Sequence, residues 1–214
     1  MKSQLENELA LARGLINEFI TDDSFPSEIR PEALRKAVRL YPMRGGKRLR
    51  PVLALWSCGA VGGDPVRALN AAAASEIFHN WTLVHDDIID CDEVRRGKPT
   101  CHMELRKEGA ARFGLLPGRA EKYGTDFAIL TGDVQQAWAS DVLLRSTDRG
   151  VSAETALAMA RRMQSFLNRE LISGEALDVE FEYRKVLPPK AEVIDMIRGK
   201  TGALLAFSAE SVSY

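Results

Sequence analysis

The chain is poor in cysteine, in surplus charge and in long apolar runs, and each shortage removes a class of protein. Its three cysteines, Cys58, Cys91 and Cys101, form no CxxC pair and have no His/Cys cluster at zinc spacing, which excludes a disulfide framework and a structural zinc. A reducing cytoplasm fits that usage. Against 30 Asp and Glu stand 29 Lys and Arg, net −1, so chain-wide attraction to nucleic acid or an anionic membrane is excluded and any phosphate binding must be local. No stretch of about 18 uncharged apolar residues occurs, so no membrane-spanning helix is expected. The start, Met1 to Glu6, lacks an apolar run before a small-residue cleavage site, and an unprocessed cytoplasmic protein is expected. Linker-like Ser/Gly/Pro tracts are also missing, and 214 residues at 45% hydrophobic content can bury one sizeable core, so a single domain is expected.

Apolar residues recur at helical spacing almost throughout, while alternating β runs joined by Asn-Gly or Asp-Gly turns are missing, so the fold class is all-α. The first helix is expected around Leu5 to Ile20, before the breaker Thr21 to Pro26. A second starts at Pro31 and ends before Pro42 and Gly45-Gly46. The third follows Pro51 and fades at Gly59, Gly62 and Gly63. A fourth is expected from an Asp64-Pro65 start to Asp90, about 40 Å at about 1.5 Å per residue. Later helices are expected from Phe127 to Leu144, from Ala153, capped by Ser152, to about Arg184, and from Pro189 to the end. Met103 to Arg119, basic and broken by Gly109, Gly114, Pro117 and Gly118, reads as a surface excursion.

The fourth helix ends in His85-Asp86-Asp87-Ile88-Ile89-Asp90, where Asp86 and Asp90 lie one turn apart on the same face. Acids at a helix C-terminus oppose the dipole and repel one another. Set in an otherwise apolar helix and followed by a basic run, this arrangement calls for a cation. Oxygen donors without Cys or a His pair favour a hard ion, and Mg²⁺ is typically held by one or two carboxylates plus substrate phosphates. Asp86, Asp87 and Asp90 are therefore the candidate metal acids. The phosphate side is supplied by Arg95-Arg96-Gly97-Lys98 and by Gly45-Gly46-Lys47-Arg48-Leu49-Arg50, where guanidinium forks grip oxygens and glycine admits close backbone approach. His79, Leu83, Asp86 and Asp90 share one helical stripe.

These residues resemble a known family, the trans-type isoprenyl diphosphate synthases, which include the farnesyl and geranylgeranyl diphosphate synthases. Its GGKRxRP motif appears as Gly45 to Pro51, DDxxD as Asp86 to Asp90, and RRGxPT as Arg95 to Thr100. Gly132-Asp133, Gly174-x-x-x-Asp178 and Lys200-Thr201-Gly202 continue the likeness in order. The resemblance implies an isoprenoid synthase helical bundle around a central cavity, a homodimer, and Mg²⁺ as cofactor. It implies that Lys47, Arg50, His79 and Arg96 bind isopentenyl diphosphate, and that Asp86 and Asp90 ligate Mg²⁺ on an allylic diphosphate contacted by Arg95 and Lys200. The Lys200 carbonyl and Thr201 hydroxyl would face a carbocation. Bulk at Phe78 and Trp81, upstream of the acids, would limit product length to farnesyl or geranylgeranyl diphosphate.

Three departures stand out. The family's second aspartate-rich motif does not appear before Tyr214, so the chain is expected to be a truncated form lacking its C-terminal portion. Glu175 stands where the family usually places Gln, and reads as a solvated helix acid. The Met103 to Arg119 excursion is longer than the family's usual connection. Asp133 is expected to be a helix-terminal structural acid, Asp178 an outer participant at the metal site, and Trp138, Met159 and Met163 core. A non-catalytic or regulatory subunit of a prenyl synthase is the competing reading. A terpene cyclase would not need the isopentenyl site.

Overall fold

The computed structural model describes residues 4–211. Helices follow one another as α1 (Gln4–Asp22), α2 (Glu32–Met43), α3 (Leu49–Ala60), α4 (Leu69–Ile89), α5 (Cys101–Phe113), α6 (Pro117–Leu144), α7 (Ala153–Arg162), α8 (Asn168–Tyr183), α9 (Lys190–Ile197) and α10 (Ala203–Glu210). The fold is all-α. Its strands, among the described residues, are the two-residue pair β1 (Val94–Arg95) and β2 (Lys98–Pro99), antiparallel with Arg95 opposite Lys98. The turn between them puts Arg96 at φ 53° and Gly97 at φ 74°, the left-handed pair that a two-residue hairpin requires. Among the described residues no helix is long and apolar enough to cross a membrane.

Two compact units divide the chain, one made of Met1–Arg48 and Glu76–Asp141, the other of Leu49–Ser75 and Val142–Tyr214. In the first, α2 buries Ala33, Leu34, Ala37, Val38 and Tyr41 along one helical stripe. Ala37 and Tyr41 join Val84, Cys101, Leu105 and Ala128 in a core cluster bordered by Leu40, Leu83, Ile88 and Phe127. Trp138 is wholly buried, and its indole N–H donates to Asp23 at 3.0 Å, so the ring enters the core without an orphaned donor. In the second unit α10 packs on α3, and α7 runs into α8 through a wider turn at Met163–Leu167, where the Asn168 N–H bonds to the Met163 carbonyl five residues back. Met159 and Met163 are core here, as expected.

Several boundaries differ from those read in the sequence, each for a local reason. Asp64 caps no long helix: its carboxylate accepts the Val66 N–H at 2.9 Å in a tight turn, and α4 begins at Leu69, which makes it about 32 Å long. Helix α2 continues through Pro42 to Met43, and the Val38 carbonyl that Pro42 deprives of its helical N–H accepts the Gln135 side-chain amide at 2.8 Å instead. Helix α3 starts before Pro51, at Leu49. The supposed excursion at Met103 to Arg119 is the end of α5 and the start of α6. Gly114 at φ 63° closes α5, and Pro117 opens α6. Gly109 stays inside α5 because a side chain there would meet the Tyr123 ring at 2.5 Å, so its smallness serves packing. Asp133 lies mid-helix in α6 rather than at a helix end. The expected continuation of the last helix through residues 212–214 lies outside the described residues.

Candidate active site

The acidic motif closes α4 in the first unit. Asp86 and Asp90 each offer a carboxylate oxygen, and the two lie within 4.8 Å of each other. Asp90 is exposed just past the helix end, its N–H still bonded to the Asp86 carbonyl at 2.8 Å. Both are hard oxygen donors, and the candidate ligand group among the described residues contains carboxylates and no Cys or His, the chemistry that fits Mg²⁺.

Asp87 is placed differently from its neighbours. It is wholly buried, and both its oxygens are already engaged. Oδ2 accepts the Tyr41 hydroxyl, and Oδ1 accepts the Arg95 Nε at 2.6 Å. This sets it apart from the other two expected metal acids: an inward-facing carboxylate held by a phenol and a guanidinium lies outside the cluster of candidate ligand atoms to which Asp86 and Asp90 belong. The same Arg95 donates through Nη2 to Asp86 Oδ2 at 2.9 Å. Burial works against the Arg95 charge, but the hydrogen bond and charge of Asp87, with Asp86 behind it, outweigh that and raise its pKa. Burial, and then the bond to Asp87, push the Tyr41 phenol well above its ordinary range, so it stays a donor.

The glycine loop at the end of α2 lies near the hairpin arginines. Arg96 Nη1 donates to the Gly45 carbonyl at 3.3 Å. Lys47 is exposed, with its carbonyl held by Arg13 Nε at 2.9 Å. Arg48, expected in the basic run on the phosphate side, instead turns inward and anchors the loop. It is 3% exposed at φ 50°, and its guanidinium reaches Asn17 Oδ1 at 2.9 Å, Glu76 Oε1 at 2.6 Å and the Pro42 carbonyl at 2.5 Å. The signal that could have found it is Glu76, an acid set among the apolar residues of the Ala-rich first half of α4, which needs a buried cation. His79 is half-buried on α4. Arg96 lines a cavity of about 60 Å³ with Tyr41, Arg44, Asn80, Leu83, Arg95 and Lys98. Phe78 and Trp81 are both buried and meet edge to face, ring centroids 4.7 Å apart.

Arg50, in the first turn of α3, belongs to the second unit, as do Lys200 and Thr201. The latter pair sit in a wide turn, Arg198–Gly202, in which the Ala203 N–H bonds to the Arg198 carbonyl. Such one-turn bulges recur at functional positions. Gly174 and Gly199 let this turn lie directly on α8: a side chain on Gly174 would meet the Lys200 nitrogen at 2.2 Å. The close approach brings Lys200 Nζ to Asp178 Oδ2 at 2.7 Å and Glu175 Oε2 at 3.0 Å. Glu175 is therefore not a solvated acid: its side chain is 17% exposed and ion-paired. Thr201 is exposed.

The described residues thus form an all-α chain with paired helix-end acids, a guanidinium hairpin and a glycine-rich basic loop. Within it, the polyprenyl synthetase family matches residues 31–214, and the chain belongs to that family. A geranylgeranyl pyrophosphate synthase of Geoglobus acetivorans is 37% identical over 91% of this chain and 53% of its own length. The solved geranylgeranyl pyrophosphate synthetase of Pyrococcus horikoshii superposes with a TM-score of 0.80 at 37% identity, covering 98% of this chain and 57% of that one. A geranylgeranyl pyrophosphate synthase from Corynebacterium glutamicum, solved in complex with isoprenyl diphosphate and magnesium, gives 0.79 at 28% identity, covering 99% and 61%. The chain thus spans about half the length of the curated relatives it matches.

Proposed function

We propose that the protein is a short-chain trans-prenyltransferase that joins isopentenyl diphosphate to an allylic diphosphate, giving geranylgeranyl or farnesyl diphosphate. The observation that carries this is the Asp86/Asp90 pair beside Arg95 and the glycine loop, in a chain whose relatives include geranylgeranyl diphosphate synthases. Asp86 and Asp90 would hold Mg²⁺, which when bound supplies charge neutralisation for the departing diphosphate. A magnesium-bound relative of similar fold supports that choice. Arg95 and Lys200 contact the allylic diphosphate, while Lys47, Arg50, His79 and Arg96 grip the diphosphate that does not ionise. Ionisation leaves an allylic cation, which the Lys200 carbonyl and Thr201 hydroxyl face. The isopentenyl double bond attacks it, and proton loss follows with the released diphosphate as base. The protein's part is electrostatic preorganisation and exclusion of water. A cytoplasmic homodimer is the state proposed, supported by the exposed apolar side chains Phe113, Leu116, Ile129 and Leu130 on α5, α6 and the turn joining them.

Turnover of labelled isopentenyl diphosphate with allylic diphosphates tests the assignment. Product should require Mg²⁺, and Asp86→Ala or Asp90→Ala should lower turnover by at least about a hundredfold. Undiminished turnover in those variants would remove the metal assignment.

A further inference from the structure

The Tyr41 hydroxyl has no part in the proposed reaction, yet it sits at the centre of a buried polar network in the first unit. It donates to Asp87 Oδ2 and accepts the Cys101 N–H at 2.9 Å. Three separate elements meet at this one oxygen: α2 through the ring, α4 through Asp87, and the first residue of α5 through its amide. Tyr41 is 5% exposed and Asp87 is wholly buried, so neither group can exchange its partner for water. A buried carboxylate is stable only if its oxygens are supplied with donors. Tyr41 supplies one oxygen, which leaves the other for Arg95, taken both by Nε at 2.6 Å and by Nη2 at 2.5 Å. Nη2 alone is shared with Asp86. The remaining terminal nitrogen of Arg95 makes no hydrogen bond among the described residues, and Arg95 lines the small cavity beside Arg96 and Lys98.

Resting on the prenyltransferase reading, we propose that Tyr41 is a positioning residue: by fixing Asp87 as an inward-facing anchor, it sets the guanidinium plane of Arg95 toward Asp86 and the diphosphate. Asp87 then serves the acidic motif as the fixed counter-charge of an arginine rather than as a metal ligand. The tie to the Cys101 amide makes the arrangement rigid, because moving the phenol would orphan a buried N–H at the start of α5 as well as the carboxylate. Arg44 braces the same corner from outside. Its guanidinium lies 5.3 Å from the Tyr41 ring centroid and donates to the Pro99 carbonyl at 2.6 Å, holding the hairpin that carries Arg95.

A double-variant cycle of Tyr41→Phe and Asp87→Asn in the whole chain tests this, read by calorimetry as binding of inorganic pyrophosphate in the presence of Mg²⁺ and, separately, as turnover. If Tyr41 acts through Asp87, Tyr41→Phe weakens pyrophosphate binding about tenfold in the unaltered chain and by less than about twofold in the Asp87→Asn background. The KM for isopentenyl diphosphate should stay within about twofold. Equal losses in both backgrounds, or no loss in the first, overturn the assignment. Should Tyr41→Phe not fold, Asp87→Asn in an Arg95→Lys background decides: no further loss supports the anchor role, and a further tenfold loss overturns it. Pyrophosphate binding with the coupling intact but no prenyl product would count against the prenyltransferase reading alone. No pyrophosphate binding by the unaltered chain would overturn both.

Discussion

Arg48 shows what a single residue contributes when its charge is turned inward. Its side chain is 2% exposed and that of its partner Glu76 8%. The pair holds the glycine loop to α4 while leaving Lys47 outside. Removing one partner strands the other, and Glu76→Ala is expected to cost about 3–5 kcal/mol in a urea melt, whereas a loss below about 1 kcal/mol would show that the loop is held by other means. His102 acts through pH instead. Burial holds its pKa below the ordinary value of about 6.5, and its ring lies 3.3 Å from the Thr100 hydroxyl. A group depressed on folding binds its proton more weakly in the native state. Stability is therefore full above about pH 6.5 and falls as the pH drops toward the folded value. His102→Gln should flatten that acid limb, and an unchanged pH profile of the melting temperature would exclude the residue as its cause.

At the scale of elements, close approach does more than propensity. The wide turn at Arg198–Gly202 and helix α8 meet through two glycines, and that contact delivers Lys200 to Glu175 and Asp178. Gly174→Ala forces its new methyl against backbone atoms that cannot rotate away. It should destabilise by about 1–3 kcal/mol and weaken the Lys200 pairing, read by thermal denaturation and by the chemical shift of the Lys200 ammonium. An unchanged melt and an unchanged shift would mean the two elements separate freely. This contact also marks where reading the sequence stopped. Helical periodicity and Ser152 were sufficient for α7, whose Thr155 N–H does bond the Ser152 hydroxyl at 3.1 Å. Gly109 and Gly174 looked like breakers or family markers, because nothing in one sequence says which ring or backbone lies opposite a glycine. The same blindness hid Asp87's inward orientation: spacing set it beside Asp86, but its partners Arg95 and Tyr41, the latter 46 positions away, show which way it faces.

For the molecule as a whole, the family and the fold class were legible because several motifs occur in order along the chain, while the direction each acid and ring faces depended on partners distant in sequence. Under the proposed prenyltransferase function, product length is the whole-molecule property that most depends on such placement. Phe78 is wholly buried, Trp81 is 7% exposed, and the two rings pack edge to face on α4, one to two turns before Asp86. Trp81 in turn meets His85 edge-on at 5.9 Å, which ties the aromatic pair to the acidic end of the helix. If these rings form the floor beneath a growing prenyl chain, removing either opens length without touching Asp86 or Asp90. Trp81→Ala and Phe78→Ala should then shift products toward longer chains, with Mg²⁺ dependence retained. Each truncation also leaves a cavity and should cost about 3–5 kcal/mol, so products must be collected well below the variants' melting temperatures. The double variant should lengthen products further than either single change. Chromatography of the dephosphorylated alcohols reads the outcome, and an unchanged chain length in all three variants would place the floor on other side chains.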